Sequence, residues 1–161
     1  MIGYYPEIGM NASPVDFSQA VIFELSLPNQ MSELEQLNPW LEQCAVTIGL
    51  STRGTFRLQL LLEEVVMNIF ENAYPEGGEH QIRVQLMAQD EGLTIRTVDD
   101  GVPFDQTIVP ERSPVLSLED VQIGGLGLQL IHSYSDLQEY VRQDNQNILT
   151  LHFSDQDAEE N

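Results

Sequence analysis

The chain has 161 residues, 42% of them hydrophobic, with 6 basic against 26 acidic residues and a formal net charge of −20. That length and apolar content suit one domain with a real core and argue against wholesale disorder. Every basic residue is Arg and Lys is absent, which excludes a Walker-type phosphate loop and Schiff-base catalysis on Lys, while so acidic a surface argues against direct nucleic-acid binding.

Residues 1–19 read as a polar N-terminal arm with Pro6, Gly9 and Pro14 and no clear period. Val21–Leu27 alternates apolar and polar, a strand pattern. Met31 to about Ile48 carries apolar residues at helical spacing, with Pro39 inside predicting a kink or a late start and Gly49 a C-cap. Ser51 or Thr52 caps the next helix, whose apolar positions 58, 61, 62, 65, 66, 69 and 73 form one face. Pro75 and Gly77-Gly78 end it. Gln81–Ala88 and Leu93–Asp99 read as strands across the turn Asp90-Glu91-Gly92. Residues 100–123 form a long connection containing Pro103, Pro110 and Pro114, a length usual for functional loops. Gly124-Gly125 opens an apolar helix reaching about Tyr134. Leu137–Arg142 and Ile148–Phe153 read as a closing hairpin across Asp144-Asn145, and Ser154–Asn161 as a disordered acidic tail. One domain thus covers 20–153 between the 1–19 arm and the 154–161 tail. Short turns predict antiparallel pairing with helices covering one face, a two-layer α/β (α+β) sandwich.

No apolar run is long enough to span a bilayer, and the N-terminus lacks the pattern of a signal peptide, so the expectation is a soluble cytoplasmic protein. The single cysteine, Cys44, cannot form an internal disulfide and reads as a buried, inert thiol. His80, His132 and His152 have no metal-ligand spacing. Trp40 reads as packing in a core or a dimer contact.

On the second long helix Glu64, Asn68 and Asn72 follow one another at steps of four and form one polar stripe at the edge of the apolar face. One carboxylate and two carboxamides suit a hard cation on a polyphosphate, with the carboxylate a turn away as a general base; a solvated helix face is the alternative. Asp99, at a strand end before Asp100-Gly101-Val102-Pro103-Phe104-Asp105, can accept from an exocyclic amine such as that of adenine, and Gly101 lets a ring approach the backbone; the alternative is a plain turn. Gly124-Gly125-Leu126-Gly127-Leu128 opens a helix whose free N–H groups can hold phosphate without Lys; simple helix entry is the alternative.

In this order the three boxes resemble the N, G1 and G2 boxes of the Bergerat-fold (GHKL) ATPases, shared by gyrase-like, chaperone, mismatch-repair and histidine-kinase proteins. The chain is most similar to the anti-sigma factor serine/threonine-protein kinases of bacterial partner-switching systems. The resemblance rests on Glu63-Glu64-Val65-Val66-Met67-Asn68, Asn72-Ala73-Tyr74-Pro75, Asp99 to Asp105, Val109-Pro110-Glu111, Ile123 to Leu128, and Asn147-Ile148-Leu149-Thr150-Leu151, and spans about Val21–Phe153. It implies a Bergerat fold with a mixed, mostly antiparallel sheet. It implies Glu64 as general base, Asn68 as ligand of an Mg²⁺ that bridges ATP phosphates, and Asp99 as acceptor for the adenine amine beside Gly101. Gly125 and Gly127 would meet phosphate under a lid formed by residues 105–123, with Asn72 and Leu128 among the nucleotide contacts. The chain departs from the pattern at Asn72, where many relatives carry His, and its lid offers Arg112 alone as a cation.

The function implied is an ATP-binding, Mg²⁺-dependent serine/threonine kinase. It would phosphorylate a small anti-sigma antagonist protein and sequester a sigma factor or similar target, as a homodimer, with ATP and ADP biasing partner choice. The alternative is a non-catalytic ATP-gated binding module. A sensor histidine kinase fragment is disfavoured because its first box usually begins with Asn, and a chaperone- or gyrase-type hydrolase needs more chain. The acidic surface suits a basic partner surface, although habitat or solubility would also account for it.

Overall fold

A computed structural model describes residues 20–89, 92–109 and 125–155. The expected arm, residues 90–91, residues 110–124 (Arg112 and most of the expected lid among them), and the expected tail beyond Asp155 lie outside the described residues. In chain order the elements are β1 (Val21–Pro28), a 3₁₀ turn (Met31–Glu33), α1 (Leu34–Ile48), α2 (Thr52–Asn72), β2 (Gln81–Gln89), β3 (Gly92–Asp99), α3 (Gly125–Tyr134), β4 (Leu137–Gln143) and β5 (Gln146–Phe153). The strands form one sheet in the order β1-β2-β3-β5-β4, and each of the four pairings is antiparallel.

Period-two alternation decides which side of each strand is covered. Ile82, Val84 and Leu86 of β2 and Leu149, Leu151 and Phe153 of β5 are buried in one core. Arg83, Gln85, Ile148 and Thr150 alternate with them and stay more exposed. The helices meet that core with their own apolar stripes. Leu58, Leu61, Leu62, Val65, Val66 and Ile69 of α2 are buried, as are Leu37, Leu41, Cys44 and Ala45 of α1. Each of these Leu, Ile, Val and Phe side chains contributes about 1.5–3 kcal/mol. Burial also pushes the Cys44 thiol up, as expected of an inert cysteine.

Local chemistry places the ends. The 3₁₀ turn absorbs the start of the first helical segment, and α1 then runs through Pro39 to a left-handed Gly49 at φ 75°. Ser51 caps α2 by accepting from the Gly54 N–H at 2.9 Å. The Ser51 N–H and hydroxyl in turn donate to Asp155, at 2.7 and 2.8 Å. Asp155, the second residue of the expected tail, therefore docks where its charge favours the α2 dipole. The β4–β5 hairpin closes through Asp144 and Asn145, both at positive φ (51° and 60°), the conformation a two-residue turn demands. Near its start α2 is clasped by Arg57, whose guanidinium lies 5.4 Å from the Tyr134 ring centre and 5.1 Å from that of Phe153, a cation–π tie to α3 and β5.

Candidate functional site

The polar stripe of α2 diverges along its length. Glu64 and Asn68 are half-buried, whereas Asn72 is exposed and its Nδ2 donates to the Asn68 carbonyl at 2.9 Å. The first turn of α3, which begins at Gly125, packs on the Glu64–Asn68 edge. A Cβ at Gly127 would collide with the Glu64 carboxylate and lie 3.8 Å from Asn68 Nδ2. Leu128, half-buried, packs against the core. Burial, then the charges of Glu63 and Glu71, pushes the Glu64 carboxyl above the ordinary carboxylate range. The geometry thus joins a basic carboxylate, a carboxamide and a helix N-terminus, which favours anions.

The second corner sits where β3 ends. Asp99 is only 4% exposed, and its Oδ1 accepts from Gly101 N at 3.0 Å and from Asn147 Nδ2 at 2.8 Å. Register makes the latter contact, since Asp99 on β3 stands opposite Asn147 on β5. Asn147 Nδ2 also donates to the Val102 carbonyl at 2.8 Å. Its Oδ1 accepts from Tyr140 Oη at 2.6 Å, Arg142 Nη1 at 3.1 Å and Phe104 N at 3.4 Å. Arg142 Nη1 reaches on to the Gly101 carbonyl at 2.6 Å. Burial pushes the Asp99 carboxyl upward, outweighing the hydrogen bonds from Asn147 and Gly101.

This corner is bolted to the end of α2. Val102 N donates to the Ala73 carbonyl at 2.8 Å, and a Cβ at Gly101 would strike Ala73, including its carbonyl oxygen at 2.5 Å. Gly101→Ala is expected to lose about 1–3 kcal/mol of stability by overpacking backbone against backbone, read as a lower urea midpoint. At Gly127 the obstacle is instead the end of a flexible Glu64 side chain. Beside the corner Tyr74 stacks on His80 with ring centres 4.2 Å apart, and both bond Asp100, at 3.1 and 3.0 Å. Burial pushes the Asp100 carboxyl up, but the hydrogen bonds from His80 and Tyr74 outweigh it and hold it below the ordinary range.

Residues 105–109, the described start of the long connection, are anchored on both sides. Gln106 bonds Asn68 and the Val65 carbonyl, each at 3.2 Å. The Thr107 carbonyl accepts from His132 Nε2 of α3 at 2.7 Å. Gln106, Tyr140 and Arg142 are the site residues that the sequence motifs did not single out, and Asn147 entered only as the first residue of the closing-strand motif, with no role given to it. The available signal was Asn147, a polar residue on the apolar inward face of β5. A concavity of about 600 Å³ on the uncovered side of the sheet, lined by Ser26, His80, Arg83 and Gln146 among others, reaches Asp99 and Asp100 but not Glu64 or Asn68.

Among the described residues no three His, Cys, Asp or Glu side chains gather to hold a metal by themselves. The donor set would suit only a hard cation that brings most of its own ligands, for which Asn68 Oδ1 is the candidate protein oxygen. Among the described residues no helix is long and apolar enough to cross a membrane.

Residues 27–153 match the model of the histidine kinase-like ATPase domain, and the chain belongs to that family. It is similar to serine/threonine-protein kinase BtrW of Bordetella bronchiseptica, 32% identical over 112 residues that cover 70% of this chain and 79% of that one. It is also similar to serine-protein kinase RsbW of Listeria monocytogenes, 28% identical over 118 residues that cover 70% and 75%. Among solved structures, the RsbU and RsbW domains of Rv1364c from Mycobacterium tuberculosis match with a TM-score of 0.56 at 14% identity. That match covers 83% of this chain and 32% of the solved one, so this chain spans about a third of that protein's length and the likeness is one of fold.

Proposed function

We propose that this protein is an ATP-dependent serine/threonine kinase of the partner-switching type. In this reading it phosphorylates a small anti-sigma antagonist and, when free of it, holds a sigma factor or similar target. The observation that carries the reading is Gly127 seated against the Glu64 carboxylate. It gathers a carboxylate, a carboxamide and an anion-favouring helix start midway along α2, while Gly101 and the Asp99 corner stand at its C-terminal end.

Asp99 accepts from the adenine amine with Gly101 beside the ring. Asn68 holds the cation through its oxygen, and Gly125, Gly127 and Leu128 line the phosphate side. Mg²⁺, when bound with the nucleotide, neutralises charge on the phosphate oxygens. Glu64 takes the proton of a Ser or Thr hydroxyl as that oxygen bonds to the γ-phosphorus; the bond from the γ-phosphorus to the bridging oxygen breaks and ADP leaves. The upward shift of Glu64 makes it a better proton acceptor. The net charge of −20 suits a basic partner surface and disfavours nucleic acid. Exposed Met31 and Val46 support a homodimer formed through the first helical segment.

The test is transfer of label from γ-labelled ATP to a Ser or Thr of the small antagonist protein from the same cells. Glu64→Gln is expected to lower transfer by about 10²–10⁴-fold while leaving nucleotide affinity intact. One observation favours the second reading, an ATP-gated binding module: Asn72 turns its amide back onto its own helix. Normal nucleotide binding with no label transferred by the wild type would select that reading.

A further inference from the structure

We propose that Gln106 is a positioning residue that sets which end of the Asn68 carboxamide is offered to the cation. The proposal rests on the nucleotide-site reading above. Gln106 lies at the described base of the lid and is only 3% exposed. Its Nε2 is 3.2 Å from the Val65 carbonyl, and a carbonyl only accepts, so Gln106 must turn its NH₂ group there. Its Oε1 is thereby left facing Asn68, and that oxygen also only accepts. Asn68 must answer with its own NH₂, and Nδ2 stands 3.2 Å away.

A helix carbonyl thus dictates, through two successive amides, that Asn68 commits its nitrogen to Gln106 and keeps Oδ1 for another partner. Without Gln106 the carboxamide has two nearly equivalent orientations related by a half-turn of χ2. Only one of them offers oxygen to a cation; the other offers N–H and repels it. Asn72 does not compete for this side chain, because its amide bonds the Asn68 backbone carbonyl. Partners that orient a ligand in this way govern metal affinity without touching the metal.

The alternative is that Gln106 only bolts the lid base to α2, and two substitutions separate these roles. Gln106→Leu fills the space but bonds neither partner. Gln106→Glu still accepts from Asn68 Nδ2, so it holds the Asn68 orientation, but as a carboxylate it cannot donate to the Val65 carbonyl. The experiment measures binding of a fluorescent ADP to the full chain, once in EDTA and once across an Mg²⁺ titration, with thermal unfolding as a stability control. For Gln106→Leu the Mg²⁺ concentration at half-effect is expected to rise about tenfold, with metal-free ADP affinity within about twofold of wild type. For Gln106→Glu the half-effect concentration is expected to stay at or below the wild-type value even where the midpoint of unfolding falls. Gln106→Ala carries the same expectation as Gln106→Leu and replaces it if that variant does not fold.

The proposal is overturned if the Leu or Ala variant leaves the Mg²⁺ dependence unchanged. It is equally overturned if the Leu and Glu variants shift together in step with their stability, or if metal-free affinity falls as much as the Mg²⁺-dependent part. A wild type whose ADP affinity ignores Mg²⁺ overturns the site reading itself and the proposal with it, an outcome visible before any substitution is made.

Discussion

Asp99→Asn is expected to remove most of the nucleotide-induced stabilisation while leaving the ligand-free fold at least as stable as wild type at neutral pH. Both internal hydrogen bonds fall on Oδ1, so an Asn in the same pose keeps them. What changes is the second atom. Among the described residues Oδ2 accepts no hydrogen bond, and in the variant an NH₂ group replaces it and opposes the adenine amine donor to donor. Losing a charge-assisted bond and gaining that conflict costs about 3 kcal/mol, roughly a hundredfold in affinity. With nucleotide at 100 times the wild-type Kd, the wild type gains ~2.7 kcal/mol and the variant ~0.4 kcal/mol. In a domain of this size the wild-type gain is a shift of roughly 5–10 °C in Tm.

The same variant has a pH signature. Because burial raises the Asp99 pKa in the fold, the native state holds the proton more tightly than the unfolded chain. Stability from this group is therefore fully present below the ordinary Asp value and is lost as pH rises through the folded value. Asn carries no such dependence. The ligand-free variant should gain on the wild type as pH climbs above the ordinary Asp value, and the gain should level off once pH passes the folded value. A variant that binds ADP as the wild type does would remove Asp99 from the site.

The second large effect is expected at Asn147. Leucine there has the same branching but leaves the Val102 carbonyl without its side-chain donor and Tyr140 and Phe104 without their acceptor, while Asp99 Oδ1 keeps only Gly101 N and Arg142 Nη1 only the Gly101 carbonyl. With a carboxylate and a guanidinium both affected in a buried setting, Asn147→Leu should cost about 3–5 kcal/mol. Urea unfolding measures this directly. Nucleotide affinity should fall as well, since Asp99 loses the partner that fixes its plane. A loss under about 1 kcal/mol would mean that water or rearrangement replaces the hub, and that Asn147 does not hold the corner.

Both residues of this pair were visible in the sequence, but the pair was not. Asp99 stood out through the turn motif that follows it, whereas the role of Asn147 depends on the register of β3 against β5. That pairing brings together residues 48 positions apart, and no local pattern encodes it. The strands and long helices were legible because alternation and helical spacing are local properties, and Ser51, Gly49 and the Asp144-Asn145 turn act through their own backbone. The insertion of β5 between β3 and β4 was not legible, because adjacent strands suggest hairpins and β3–β5 pairing crosses α3. In the site, Glu64, Asn68 and Gly127 were readable as separate motifs, and their convergence is a tertiary result. Gln106 lacked even a motif, since its partners lie 38 and 41 residues away. Asp155 was assigned to the tail by its charge, yet its contacts lie 104 residues back in the chain.

Each corner of the site is referred to a single rod. Gly127 meets α2 at Glu64, Gln106 meets it at Val65 and Asn68, and the Gly101–Val102 turn meets it just past its end at Ala73. A helix advances about 1.5 Å and turns about 100° per residue. The nine steps from Glu64 to Ala73 therefore set an axial separation of about 13.5 Å between the two corners. α2 acts as a ruler: the span offered to a ligand is counted in residues. Changing that count by one between Asn68 and Ala73 would alter the span by about 1.5 Å and rotate one corner about 100° out of line with the other. Substitutions along this stretch can be graded; a change of length cannot.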